Sequence, residues 1–259
     1  MSHIQIGRGK IYDNVYDTIG NTPLVRLNKL PEMEGIKCEI LCKLEFMNPG
    51  GSVKDRNGKE MFLCAEKEGK IKPGDTIIEA SSGNFGIGVG LMAACKGYKC
   101  IICMPERMSQ EKADILKGLG CEIIRTPTEA RSYEYDSHHS VARRLCDAMP
   151  NSFILNQYSN ENNWKAHYNY TGKEILVDTD NKLDYFVAGA GTGGTMTGCS
   201  KRIKEVVPDC KIIVADPYGS RLTDPEDESQ SKMPKWSVEG IGYDFVPKNC
   251  ERDQVDHWV

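Results

Sequence analysis

Short apolar runs alternate with longer amphipathic ones along most of the chain. Residues 76–78, 100–103, 122–125, 153–155, 185–188 and 212–215 are brief, apolar and rich in β-branched side chains, the pattern of buried parallel strands. Between them Ile87, Leu91 and Ala94 recur at spacings of three or four, as do Ile115 and Leu119, so each set shares one face of a helix. Ser109 reads as an N-cap, and Gly118 and Gly120 as a stop. Strands separated by single helices predict βαβ units, hence an α/β protein with a mainly parallel sheet. The polar residues 133–140 precede another helical pattern at 141–149, and the acidic stretch 223–235 breaks the rhythm and reads as an exposed loop.

Three glycine-bearing segments sit beside predicted strand ends. The third, Ala188-Gly189-Ala190-Gly191-Thr192-Gly193-Gly194-Thr195, follows a strand and opens a helix. Its N–H groups can converge on an anion at the helix N-terminus, and Thr192 and Thr195 add hydroxyls. A bare tight turn is the bland alternative. Gly189, Gly191 and Gly194 also have dinucleotide-fingerprint spacing, with Asp216 about 20 residues on. That keeps an NAD-dependent dehydrogenase open, although four predicted strands precede the motif. The second segment, Ala80-Ser81-Ser82-Gly83-Asn84-Phe85-Gly86, offers hydroxyls and an amide where a helix start favours negative charge; capping by Ser82 or Asn84 is the structural alternative. The first segment, Asn48-Pro49-Gly50-Gly51-Ser52-Val53-Lys54, places Lys54 at the start of a helix through Met61 and Ala65. Most lysines are solvated surface charges. A helix N-terminus and partial burial lower an amine's pKa, as a nucleophilic lysine requires.

Composition narrows the partners. A net charge of −4 over 259 residues gives no basic footprint for nucleic acid. No apolar run approaches the roughly 20 residues needed to span a bilayer, and residues 1–10 lack the apolar core of a signal peptide, so a cytoplasmic location is expected. The eleven cysteines form an odd set that reads as reduced, mostly packed thiols. Cys100 and Cys103 lie close together, but within a predicted strand, and no metal site is expected.

Taken together, Gly-Gly-Ser-Val-Lys-Asp-Arg at 50–56, Ser-Gly-Asn at 82–84, Gly-Thr-Gly-Gly-Thr at 191–195 and the opening Ile-Gly-Asn-Thr-Pro-Leu-Val at 19–25 resemble the fold-type II pyridoxal phosphate enzymes. Within them the chain resembles the cystathionine β-synthase and cysteine synthase family, from about residue 15 onward. Glu-Gly-Ile-Gly-Tyr-Asp-Phe at 239–245 and Arg-Thr-Pro-Thr at 125–128 are more similar to its animal cystathionine β-synthase branch. The resemblance implies two open, mainly parallel Rossmann-like α/β domains, similar to the β chain of tryptophan synthase. A large cofactor-binding domain would comprise residues 1–74 and 161–259, and a small substrate-binding domain residues 75–160. It implies pyridoxal 5′-phosphate held covalently by Lys54, with Asn84 on its ring oxygen and Gly191, Thr192, Gly193, Gly194 and Thr195 on its phosphate. Ser81, Ser82 and Gln157 would hold the substrate carboxylate, and Gly242 and Tyr243 would line the second-substrate side. The implied reaction is β-replacement on serine or O-acetylserine by homocysteine or sulfide, and relatives are commonly homodimers.

Three departures accompany the likeness. Phe85 stands where the family carries a threonine that donates to the substrate carboxylate, a loss of roughly 1.5–3 kcal/mol with added bulk beside the site. The chain stops at Val259, so the large domain's sheet is expected to be incomplete, with apolar surface exposed. The first cysteine is Cys38, with only His3 before it, so no haem segment is expected; a C-terminal regulatory domain is not expected either. A catalytically impaired relative that works by binding a partner chain is therefore a second reading.

Overall fold

The computed structural model describes residues 11–81, 83–128, 130, 134–226 and 236–259. Strands β1 (Leu24–Arg26) and β2 (Leu41–Lys43) flank helix α1 (Lys29–Met33). Helix α2 (Lys54–Lys67) leads to β3 (Thr76–Ala80), α3 (Asn84–Lys96), β4 (Lys99–Pro105), α4 (Gln110–Gly118), β5 (Glu122–Thr126), α5 (His138–Ala148) and β6 (Ser152–Phe153). Helices α6 (Asn162–Ala166) and α7 (Gly172–Asp178) are joined by a π-helical turn, His167–Thr171. They precede β7 (Tyr185–Gly189), α8 (Gly194–Val206), β8 (Lys211–Ala215) and β9 (His257–Trp258).

Two open parallel sheets result, in the orders β5-β4-β3-β6 and β7-β8-β9. The expected α/β architecture is thus observed, with each strand-to-helix junction at the carboxyl end of a strand. The antiparallel pair β1–β2 was not foreseen, because three-residue strands with charged ends carry no usable period. The strand expected at 153–155 stops at Phe153. Asn156 adopts φ +60, and its N–H turns to the Glu79 carboxylate at 2.8 Å, so the chain leaves the sheet there. Conversely β3 runs past its expected end through Glu79, and all five of its residues are buried. Cys100 and Cys103 project to opposite faces of β4, into different apolar clusters, as alternation along a strand requires. Strand β7 is covered on one face only; Tyr185 and Val187 stand exposed on the other. The loop expected at 223–235 falls largely outside the described residues.

Glu79 is 1% exposed, and burial raises its carboxyl pKa to about 8 against two backbone N–H bonds from Asn156 and Leu155 that lower it. Its folded pKa lies above the unfolded value of 4.5. Its stabilising contribution is therefore complete below pH 4.5 and lost as pH rises towards 8. Stability is expected to fall across that window at up to about 1.4 kcal/mol per pH unit from this group. Glu79→Gln should flatten the slope, as read by urea unfolding at pH 5 to 8.

Helix α2 joins the two sheets. It packs on α3 and on α6, with Met61 and Phe62 fully buried. Its crossing with α3 is a backbone-on-backbone contact: a Cβ on Gly88 would lie 2.7 Å from the Lys54 carbonyl oxygen, and one on Gly58 would lie 2.8 Å from the Gly88 carbonyl carbon. Only glycine allows that approach. Gly88→Ala should cost about 1–3 kcal/mol through overpacking, measurable by chemical denaturation.

Candidate active site

The three glycine segments and residues 239–243 form a closed ring of contacts. Lys54 opens α2, and its N–H donates to Ser52 Oγ at 3.2 Å. One turn later Asn57 Nδ2 donates to the Asn163 carbonyl at 3.0 Å and to Asn163 Oδ1. Asn163 Nδ2 in turn donates to Thr192 Oγ1 at 3.0 Å, which fastens the lysine helix to the third glycine segment. The Gly242 N–H donates to the Ala190 carbonyl at 2.8 Å, and Gly191 lies against the Gly240 carbonyl. Glu239 pairs with Lys112, whose aliphatic stem covers Gly83 at the start of α3. The α2–α3 crossing closes the ring at Lys54. The sequence carried no local sign of Asn57, Lys112 or Asn163, because their partners lie tens of residues away.

Lys54 is half-buried. Burial pushes its ammonium pKa below the ordinary 10.5, and the Glu45 charge opposes that shift. Among the described residues its amine has no carboxylate partner. Beside it Asp55 is fully buried; its Oδ2 accepts from the Gly50 N–H at 2.5 Å, while Oδ1 has no partner among the described residues. Burial raises the Asp55 pKa to about 6, and the carboxyl fixes the turn in front of Lys54.

Asn84 is exposed at the first position of α3 and makes no capping bond. Ser81 is 1% exposed; its Oγ accepts from the Gly83 and Gly86 N–H groups at 3.3 and 2.9 Å. It thus caps α3 and keeps its own hydrogen to give. Ser82 lies outside the described residues. Gln157 is buried, with its carbonyl accepting from Asn163 and Asn249 at 2.6 and 2.8 Å. Tyr243 Oη meets Tyr158 Oη at 3.5 Å, next to a 320 Å³ cavity lined by Glu79, His139, Ser140, Asn156 and Tyr158 among others. Phe85, expected to crowd the site, is 2% exposed and counts with the apolar cluster of α2, α3, β3 and β4; its bulk is in the core.

Gly193 adopts φ +83 and stands as the N-cap of α8. Its positive φ turns the chain sharply out of β7, and a side chain there would strike Cys250. The first N–H groups of α8 have no partners within the helix, so they point out of its N-terminus beside Thr192 and Thr195. Such an end holds an anion without further charge.

Comparison with known proteins agrees with this geometry. Residues 15–259 match the family described as "pyridoxal-phosphate dependent enzyme", and the chain belongs to that family. It is 55% identical to cystathionine β-synthase of Mus musculus over 249 residues, covering 96% of this chain and 44% of the relative. It is 50% identical to cystathionine β-synthase of Saccharomyces cerevisiae, covering 95% and 50%. The chain thus spans about half the length of these relatives. Among solved structures it is similar to a hydrogen sulfide-producing enzyme from Fusobacterium nucleatum, with TM-score 0.88 and 37% identity, covering 97% of this chain and 80% of that one. It is also similar to O-ureido-L-serine synthase, with TM-score 0.88 and 32% identity, covering 96% and 76%. The dinucleotide reading finds no support. Ile241 packs on Gly189, and Asp216 is turned to Thr223, whose N–H and hydroxyl both donate to Oδ2 at 3.0 and 2.7 Å, while its Oδ1 is buried.

Proposed function

We propose that this chain performs β-replacement on serine or O-acetylserine, with homocysteine or sulfide as the incoming thiol, using pyridoxal 5′-phosphate. The observation that carries this reading is the contact ring, which ties the helix that carries a lysine of lowered pKa to the α3 start and the α8 start. The fit to the cofactor is chemical. An amine of lowered pKa suits its aldehyde, an exposed amide at Asn84 suits its ring oxygen, and the free N–H groups of residues 191–195 suit its phosphate. When bound, the cofactor serves as the electron sink for bonds at the substrate's α-carbon.

The chain's own residues supply the rest. Lys54 holds the cofactor. Its free amine would take the proton from the substrate α-carbon, a task its lowered pKa favours. Ser81, with one hydrogen still to give, binds the substrate carboxylate together with Ser82 and Gln157. Gly242 and Tyr243 line the side from which the thiol enters, and the Lys112–Glu239 pair holds that segment over the α3 start. A large unit of residues 1–74 and 161–259 with a small unit of residues 75–160 is the division we propose, and the two separate parallel sheets support it. A homodimer is the assembly we expect. No helix among the described residues is long and apolar enough to cross a membrane, which accords with an enzyme of small polar substrates.

The test is direct. Purified protein loaded with pyridoxal phosphate is given serine or O-acetylserine with homocysteine or sulfide, and cystathionine or cysteine is quantified. Product formation with one of the four pairs is expected. A loaded, folded protein that makes neither product contradicts the proposal and favours the partner-binding alternative.

A further inference from the structure

His167 is a histidine that no sequence pattern singled out. It is fully buried at the head of the π-helical turn, between the lysine helix and the start of α8. Its Nδ1 lies 3.0 Å from Thr171 Oγ1. Its Nε2 lies 3.2 Å from Thr195 Oγ1, 3.1 Å from Asn57 Nδ2 and 3.3 Å from Asn57 Oδ1. Burial, with Arg56 and Lys54 nearby, holds its pKa well below the ordinary 6.5, so the ring is neutral.

A neutral imidazole has one N–H and one lone pair, and its neighbours decide which nitrogen has which. The Asn57 amide is oriented by the two Asn163 oxygens, both of which face Nδ2. The nearer amide atom at His167 Nε2 is therefore a donor, so Nε2 accepts and Nδ1–H donates to Thr171. Asn57 Nδ2 faces three acceptors, the two Asn163 oxygens and Nε2, with two hydrogens to share among them. The Thr195 hydroxyl, 3.2 Å away, is the second donor that can fill the Nε2 lone pair.

We propose that His167 is a positioning residue for the cofactor's phosphate: in the cofactor-free chain it holds the Thr195 hydroxyl hydrogen, and it releases that hydrogen when a phosphate oxygen arrives. An Asn57 hydrogen then fills the vacated lone pair, which ties occupancy of the α8 start to the helix that carries Lys54. The inference rests on the pyridoxal phosphate reading and adds to it a residue outside the binding segments.

The experiment has two arms. In the first, nitrogen-15 NMR of the histidines in cofactor-free protein should show His167 neutral and protonated on Nδ1; a ring protonated on Nε2 overturns the proposal whether or not any cofactor binds. In the second, pyridoxal phosphate is titrated into cofactor-free protein. His167→Phe and Thr195→Val should each weaken binding roughly 10- to 100-fold, the range for one hydrogen bond to a charged group. Because His167 acts through Thr195, the double variant should bind no more weakly than Thr195→Val alone. His167→Gln, whose carbonyl can accept the hydroxyl, should recover most of the loss. Wild-type affinity in His167→Phe, or losses that multiply in the double variant, overturns the proposal. Should His167→Phe fail to fold, the cycle of His167→Ala with Thr195→Val decides by the same criterion, because alanine accepts no hydrogen bond. If wild-type protein itself binds no pyridoxal phosphate, the proposed function fails, while the tautomer still judges the hydrogen placement.

Discussion

Lys54→Ala is expected to lower β-replacement turnover by at least about 10²- to 10⁴-fold, the range for losing one positioned proton-transfer group, while the protein stays folded. Alanine is a good residue at the start of α2, and among the described residues Lys54 has no carboxylate ion-pair partner to orphan. Stability should rise rather than fall at neutral pH. The folded pKa of Lys54 lies below its unfolded 10.5, so the charged amine is penalised in the native state. That penalty is fully present below the lowered pKa and gone above 10.5. The stability gain of Lys54→Ala should therefore shrink as pH rises, as read by denaturation at pH 7 and pH 10. Lys54→Arg should also be inactive, because a guanidinium does not give up its proton. Turnover by either variant within tenfold of wild type would remove Lys54 from the chemistry.

Arg56→Met should be the most destabilising single change discussed, at about 3–5 kcal/mol. Arg56 is 4% exposed. Its Nε and Nη2 grip Glu45 at 2.7 and 2.9 Å, Nη1 and Nη2 grip Glu174 at 2.7 Å each, and Nη2 also reaches Thr22 Oγ1 at 3.1 Å. Methionine fills the volume but leaves two partly buried carboxylates facing each other. The geometry is a double fork, so Arg56→Lys should recover little. The acid limb gives a second signature. Although burial opposes it, bonding to Arg56 and Lys43 holds the Glu174 pKa down to about 2. This contribution is complete above pH 4.5 and lost as pH falls towards 2, and Arg56→Met should abolish that part of the acid dependence. Equal acid denaturation in variant and wild type would show that the pairs are not formed in solution.

The sequence made some of this legible and left the rest hidden, for physical reasons. The parallel strands were readable because a strand buried on both faces is a continuous apolar run, and Ile77, Ile78, Ile101 and Ile102 are all buried. Glu79 hid the true end of β3, since a charge normally ends such a run and here burial neutralises it. The end of β6 was hidden by Asn156, whose left-handed backbone carries no apolar signal. Lys54 could be found from its place behind a glycine turn. Ser81 was expected to face substrate, and its capping bonds to Gly83 and Gly86 arise only in the folded chain. Arg56 looked like any charged helix residue, because its partners lie 11 and 118 positions away. His167 was silent for the same reason: its meaning lies in Asn57 and Thr195, 110 and 28 residues distant.

Borohydride trapping tests the central claim most directly. Folded protein incubated with pyridoxal phosphate is reduced, digested and mapped by mass spectrometry. The account predicts one stable phosphopyridoxyl adduct, on the peptide containing Lys54, and none in Lys54→Ala. An adduct confined to other lysines, or no adduct on well-folded protein saturated with the cofactor, would contradict it.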